Sequence, residues 1–87
     1  MIVTSITPSI RVEKQSGIAG MDMYIDYGED VIVTEISGDI TKGFLFDLEL
    51  SSDEEADDIL VIKTESGNLK EIGISYIVDI DSIWFFD

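Results

Sequence analysis

Five carboxylates in six positions are the densest chemistry in this chain: Asp53, Glu54, Glu55, Asp57 and Asp58, within LSSDEEADDIL at residues 50–60. Such a run can hold a divalent cation, face something basic, or simply stay solvated. A calcium loop spaces its oxygen ligands at alternate positions around a glycine that lets the backbone turn tightly. SSDEEADD sets its acids in adjacent pairs and has no glycine, and in DIDSIWFFD the later positions are bulky and apolar. Neither segment predicts a metal site, and no cofactor is expected. The remaining readings are a solvated connector and a docking surface that Asp47 and Glu49 would extend. Ser52 can cap one short helical turn over residues 52–58, with Glu55 as its capping-box partner and the acids at the positive end of the dipole. On such a turn Asp53 and Asp57, and Glu54 and Asp58, repel at i,i+4. A cation nearby would relieve them.

The side chains that are missing exclude most reactions. The chain has no cysteine and no histidine, which removes disulfides, thiolate and imidazole zinc sites, and nucleophiles that rely on a histidine base. Carboxylates alone can cleave glycosides when two face each other across a cleft. With 19 acids in 87 residues some pair must lie close, so proximity carries no signal, and so small a sheet domain has little room for an enclosed pocket. GIAG, at 17–20, lacks the lysine and the following helix of a phosphate loop. The expectation is a protein that is not an enzyme.

Nineteen acidic against five basic side chains give a formal charge of -14, and the cations Arg11, Lys14, Lys42, Lys63 and Lys70 are scattered. Such a field repels nucleic acid and anionic membrane and steers in a basic partner. It also keeps an apolar chain in solution. MIVTSITPSI does not read as a secretory signal, and no apolar run approaches a membrane span. The expected location is the cytoplasm.

The elements that must position these residues are strands. Fifteen isoleucines, many valines, eight aromatics and one proline suit a pleated, half-buried surface. Ile2, Thr4, Ile6, Pro8, Ile10 and Val12 alternate with Val3, Ser5, Thr7, Ser9 and Arg11, a strand with an edge or a break at Pro8. QSGIAG, at 15–20, reads as a turn. Met21, Met23, Ile25 and Tyr27 then alternate with Asp22, Tyr24 and Asp26, and YGED reverses the chain. VIVTEI, at 31–36, is apolar on both faces and reads as an inner strand, followed by a tight turn or bulge at Ser37, Gly38 and Asp39. ITKGFLFDLEL, at 40–50, is a long strand with Ile40, Phe44, Phe46, Leu48 and Leu50 expected on one face and a bend at Gly43. Strands over 59–64 and 69–74 flank the hairpin loop ESGN. The tail predicts a short turn near 75–78 and a final strand. In its SIWFFD, Ile83 and Phe85 point one way and Trp84 and Phe86 the other. One face fills the core, and the other needs cover from the N-terminal strand, a symmetry mate or a partner.

The bent strand GDITKGFLFDLEL with Gly38 and Gly43, the acidic excursion, the pair ILVIKTESGNLKEI and the closing IVDIDSI resemble an Sm-like or YolD-like small β-barrel over about residues 31–83. That resemblance implies edge pairing into rings or dimers and RNA binding through an asparagine after the bent strand and an Arg-Gly step near the later turn. DLELSSDEEADD has no such asparagine and ESGN no arginine, so RNA binding is not expected.

Together these observations predict one domain over residues 1–87. Its fold class is all-β, a five- to seven-stranded antiparallel, partly closed SH3/Sm-like barrel with at most one helical turn near 52–58. The expected function is a small acidic protein-binding module that docks on a basic partner through Asp47, Glu49, Asp53, Glu54, Glu55, Asp57, Asp58, Trp84 and Phe86. Nuclease-toxin immunity proteins and the nucleic-acid mimics of phages and mobile elements are modules of this kind. The competing expectation is a structural, homo-oligomerising β-barrel that binds no nucleic acid, whose charge only confers solubility.

Overall fold

A computed structural model describes residues 1–14 and 22–82. The alternating segments form β1 (Ser9–Val12), β2 (Met23–Asp26), β3 (Asp30–Glu35), β4 (Ile40–Glu49), β5 (Ile59–Thr64), β6 (Leu69–Gly73) and β7 (Ile77–Ser82), with one 3₁₀ turn at Ile74–Tyr76. β1 and β2 make a two-stranded sheet, and the others a five-stranded sheet in the order β6-β5-β4-β3-β7. All pairings are antiparallel. Every strand supplies the core. Ile10 and Ile25 from the small sheet pack with Val31, Val33, Leu45, Leu60, Ile62, Ile72 and Ile80 from the large one.

Glycine makes the tight reversals possible. Gly28, Gly38 and Gly67 hold φ of 89°, 91° and 87°, a left-handed conformation that side chains resist. YGED, the Ser37–Gly38–Asp39 turn and ESGN are therefore the turns that the sequence predicts. β3 is an inner strand as expected, paired with β4 on one side and β7 on the other. The first strand is shorter than predicted. It starts only at Ser9, just beyond Pro8, and residues 1–8 belong to no strand. The turn expected at 15–20 lies outside the described residues.

The face of β4 differs from the expectation. Thr41 and Leu45 are buried, whereas Ile40 and Phe46 are 61% and 44% exposed and Leu50 is exposed as well. Opposite β5 the register jumps between Leu45 and Asp47. Phe46 is the extra residue of a β-bulge, which reverses the in-out phase of the residues after it. Odd positions face the core before the bulge. After it Leu48 packs against the core. The Leu48 N–H donates to Tyr27 Oη at 3.1 Å and to Asp47 Oδ1 at 2.9 Å, which fixes the bent end of the strand.

Two further expectations are corrected. Residues 52–58 form no helix: Ala56 N–H donates to the Asp53 carbonyl in a single turn. Asp53, not Ser52, supplies the side-chain acceptor, taking the Glu55 N–H at 3.0 Å. The five-stranded sheet also stays open where the sequence predicts a partly closed barrel. Among the described residues no ladder joins β6 to β7. The 3₁₀ turn is tied to the β4–β5 connection by Ile74 N–H to the Asp58 carbonyl and to the β3–β4 turn by Ile36 N–H to the Tyr76 carbonyl. It therefore delivers β7 to the free edge of β3 rather than to β6. Lys70 on β6 still reaches Glu35 on β3 at 3.0 Å.

Candidate functional site

The acidic connection between β4 and β5 separates into carboxylates that build it and carboxylates that it displays. Asp57 is half-buried, and its Oδ2 accepts the Ser75 N–H at 2.9 Å and the Ser75 hydroxyl at 2.6 Å. Asp58 Oδ1 accepts the Ser51 N–H at 2.8 Å. Asp53 takes the Glu55 N–H, while the Ser51 hydroxyl accepts the Asp53 N–H at 3.1 Å. These three acids close the loop and pin it to the 3₁₀ turn. Hydrogen bonds of this kind need no bound cation, because backbone N–H groups answer the carboxylate charge. Glu49, Glu54 and Glu55 are exposed, and Asp47 is half-buried beside them in sequence at the end of β4. Trp84 and Phe86 lie outside the described residues. Among the described residues no group of three or more acids is placed to hold a metal ion.

This division predicts unequal mutational costs. Asp57→Ala removes the acceptor of both Ser75 hydrogen bonds and lowers unfolding free energy by about 1–3 kcal/mol. Glu54→Ala and Glu55→Ala change it by no more than about 0.5 kcal/mol. Urea denaturation of the three variants measures the difference.

The basic residues are mostly consumed within the chain. Arg11 pairs with Glu13 at 2.6 Å, Lys70 with Glu35 at 3.0 Å, and Lys14 with Asp79 and Asp81 at 2.8 and 2.7 Å. Lys63 stands 6.0 Å above the Phe46 ring. Lys14 was legible in the sequence only as one scattered cation. The structure makes it the link between the segment after β1 and the last strand. Burial disfavours its charge, but hydrogen bonds to Asp79 and Asp81 and their negative charge outweigh this and raise its pKa above the ordinary lysine value. The hydrogen bond from Lys14 lowers the pKa of Asp79 below the ordinary carboxylate value, against a smaller opposing effect of burial.

The pH dependence follows from those directions. The Asp79 contribution is present above its unfolded pKa, near 4, and is lost as pH falls through the lower folded value. The Lys14 contribution is complete below about 10.5 and is lost as pH rises through its higher folded value. Lys14→Met therefore flattens both limbs of the stability profile, while the stability of the parent falls at both extremes. Thermal melts across pH 3–11 read this out; the effect is modest, because all three side chains are partly exposed.

Beside Lys14 a groove of about 690 Å³ separates β1 from β7. Residues 10–14 form one wall and residues 77–80 the other, above Leu48 and Leu60. Sequence reasoning did not anticipate it, since it depends on how the two sheets meet. Comparison with family models, with curated proteins and with solved structures finds no match to this chain. Among the described residues no helix is long and apolar enough to cross a membrane.

Proposed function

We propose that the chain is a non-enzymatic protein-binding module that docks on a basic partner through the end of β4 and the β4–β5 connection. The observation that carries this reading is the uneven use of charge. Arg11, Lys14 and Lys70 are each held by carboxylates of the same chain, whereas Glu49 at the end of β4, and Glu54 and Glu55 on the connection that Asp53, Asp57 and Asp58 hold in place, stand exposed. Exposed carboxylates that form no ion pair among the described residues accelerate encounter with a cationic surface and select against anionic ones.

Other acids lie apart from it: Asp26 at the end of β2, Glu29 between β2 and β3, Asp39 before β4, and Glu65 between β5 and β6. That spread favours a local docking spot, as in an inhibitor or immunity protein, over a phosphate-like row that mimics nucleic acid. For the fold we propose an SH3/Sm-like relation. It is supported by the bent β4, the tight β5–β6 hairpin, the 3₁₀ turn before β7 and the position of β7 beside β3. RNA binding is no part of the proposal.

Capture from a lysate of the native host, with bound proteins identified by mass spectrometry, tests the reading. Basic proteins should be retained by the parent chain and lost with Glu49→Lys, Glu54→Lys and Glu55→Lys combined. Retention of the same proteins by that variant contradicts it.

A further inference from the structure

We propose that the groove between β1 and β7 takes residues 1–7 of a second copy as an added strand, so that the protein dimerises by exchanging its N-terminal segments. The groove follows strand edges. Consecutive residues line both walls, whereas a groove across a sheet face would be lined by alternate ones. Among the described residues β1 is paired only with β2, and β7 only with β3, so both edges bordering the groove carry backbone groups with no ladder partner among those residues. A strand laid between them would pair with either edge and join the two sheets.

The chain carries a segment suited to that place. Residues 1–8 form no strand, Ile2 and Ile6 are each 87% exposed, and Val3 is exposed too. The Pro8 carbonyl accepts the Tyr27 N–H at 3.0 Å, which continues the line of β1 back by one residue, and none of residues 1–9 lines the groove. In a strand, the N–H and C=O of one residue point to the same side. The missing N–H of Pro8 therefore faces β2, and Thr7, Ser9 and Arg11 present their backbone groups to the groove. Pro8 costs a ladder on that side nothing.

Charge identifies the occupant as a second copy. Each copy carries -14, so two copies repel through almost any surface, but residues 1–10 are the longest run in the chain without a charged side chain. Of the charged residues that line the groove, Arg11 is paired with Glu13 and Lys14 reaches across to Asp79, which leaves Asp58 to repel an acidic segment. Two-fold pairing centred on Pro8 sets Ile6 opposite the second copy's Ile10 and Thr4 opposite its Val12. Ile2, Thr4 and Ile6 then share a face with Ile10, which is buried in the core, and the floor is Leu48 and Leu60. The even-numbered apolar alternation of residues 2–12 thus becomes a single buried face. This interface borders the acidic connection at Asp58 but includes none of the displayed acids Glu49, Glu54 and Glu55, and its salt dependence has the opposite sign.

Light scattering of the full chain at micromolar concentration should give twice the 9.7 kDa chain mass. Dimerisation should strengthen as salt shortens the screening length from about 10 Å at 0.1 M to about 3 Å at 1 M. Deleting residues 1–7, or making Ile6→Asp, should weaken it by about tenfold or more, since a carboxylate is costly in an apolar slot. Both changes fall at exposed positions, so circular dichroism should show an unchanged sheet. In the cysteine-free chain, Pro8→Cys should give a covalent dimer on mild oxidation, because facing residues at such a position lie about 4.5 Å apart, within disulfide reach. A monomer at these concentrations overturns the proposal, whether the groove is empty, holds the chain's own segment or binds an added cationic peptide. A dimer that survives loss of residues 1–7 overturns it equally.

Discussion

Gly43→Ala lowers unfolding free energy by about 3 kcal/mol, which for a domain of this size moves the melting temperature down by roughly 15 °C. Gly43 sits on β4 opposite Thr64 of β5. A Cβ there would run into the Lys63 carbonyl oxygen and approach Ile62 Cγ2 to 2.8 Å and the Lys63 carbonyl carbon to 2.9 Å. Two of those atoms are backbone, so relief requires the β4–β5 ladder itself to open. No positive φ is involved. The cost comes from close approach alone, and Gly43→Val should be worse than Gly43→Ala. A strained turn glycine would instead tolerate neither and improve with asparagine. Differential scanning calorimetry of Gly43→Ala, Gly43→Val and Gly43→Asn separates the two causes.

Leu45→Ala costs about 2–5 kcal/mol, as for other fully enclosed leucines, whereas Phe46→Ala costs no more than about 1 kcal/mol. Leu45 is 0% exposed and belongs to the core cluster. Phe46 bulges outward, where it meets Phe44 at a ring separation of 6.5 Å and the Lys63 ammonium at 6.0 Å. Simple alternation from Phe44 to Leu48 would reverse this order, because it places Phe46 in the core and Leu45 in solvent. Urea midpoints for the two variants therefore test the bulge as well as the residues.

That comparison shows where the sequence is informative. The positive-φ turns at Gly28, Gly38 and Gly67 follow from local chemistry, as do the β5–β6 hairpin, the inner position of β3 and a short turn before the last strand; all are found. The bulge leaves no local trace. In FLFDLEL the even positions are all apolar while the odd ones read Leu45, Asp47 and Glu49, so unbroken alternation buries the even phase, and only pairing with β5 shows that Phe46 is the extra residue. The open sheet likewise depends on long-range hydrogen bonds from Ile36 and Ile74, which no short window contains.

The site divides on the same principle. An acidic stretch between β4 and β5 is plain from composition, but the sequence treats its carboxylates alike. Asp57 becomes structural only because Ser75 arrives 18 residues later. Lys14 becomes a link only because the strand that carries Asp79 and Asp81 is laid beside β3. The groove needs two sheets to meet before it exists.

The central claim is that the displayed carboxylates bind a basic partner, and the salt dependence of that affinity tests it most directly. With a protein captured from the host, dissociation constants measured by calorimetry for the parent and for the combined Glu49→Lys, Glu54→Lys and Glu55→Lys variant should differ by about tenfold or more at low salt. The gap should close as salt rises, because screening removes what the three carboxylates contribute. Equal affinities at low salt, or a difference that persists undiminished at high salt, would contradict the account.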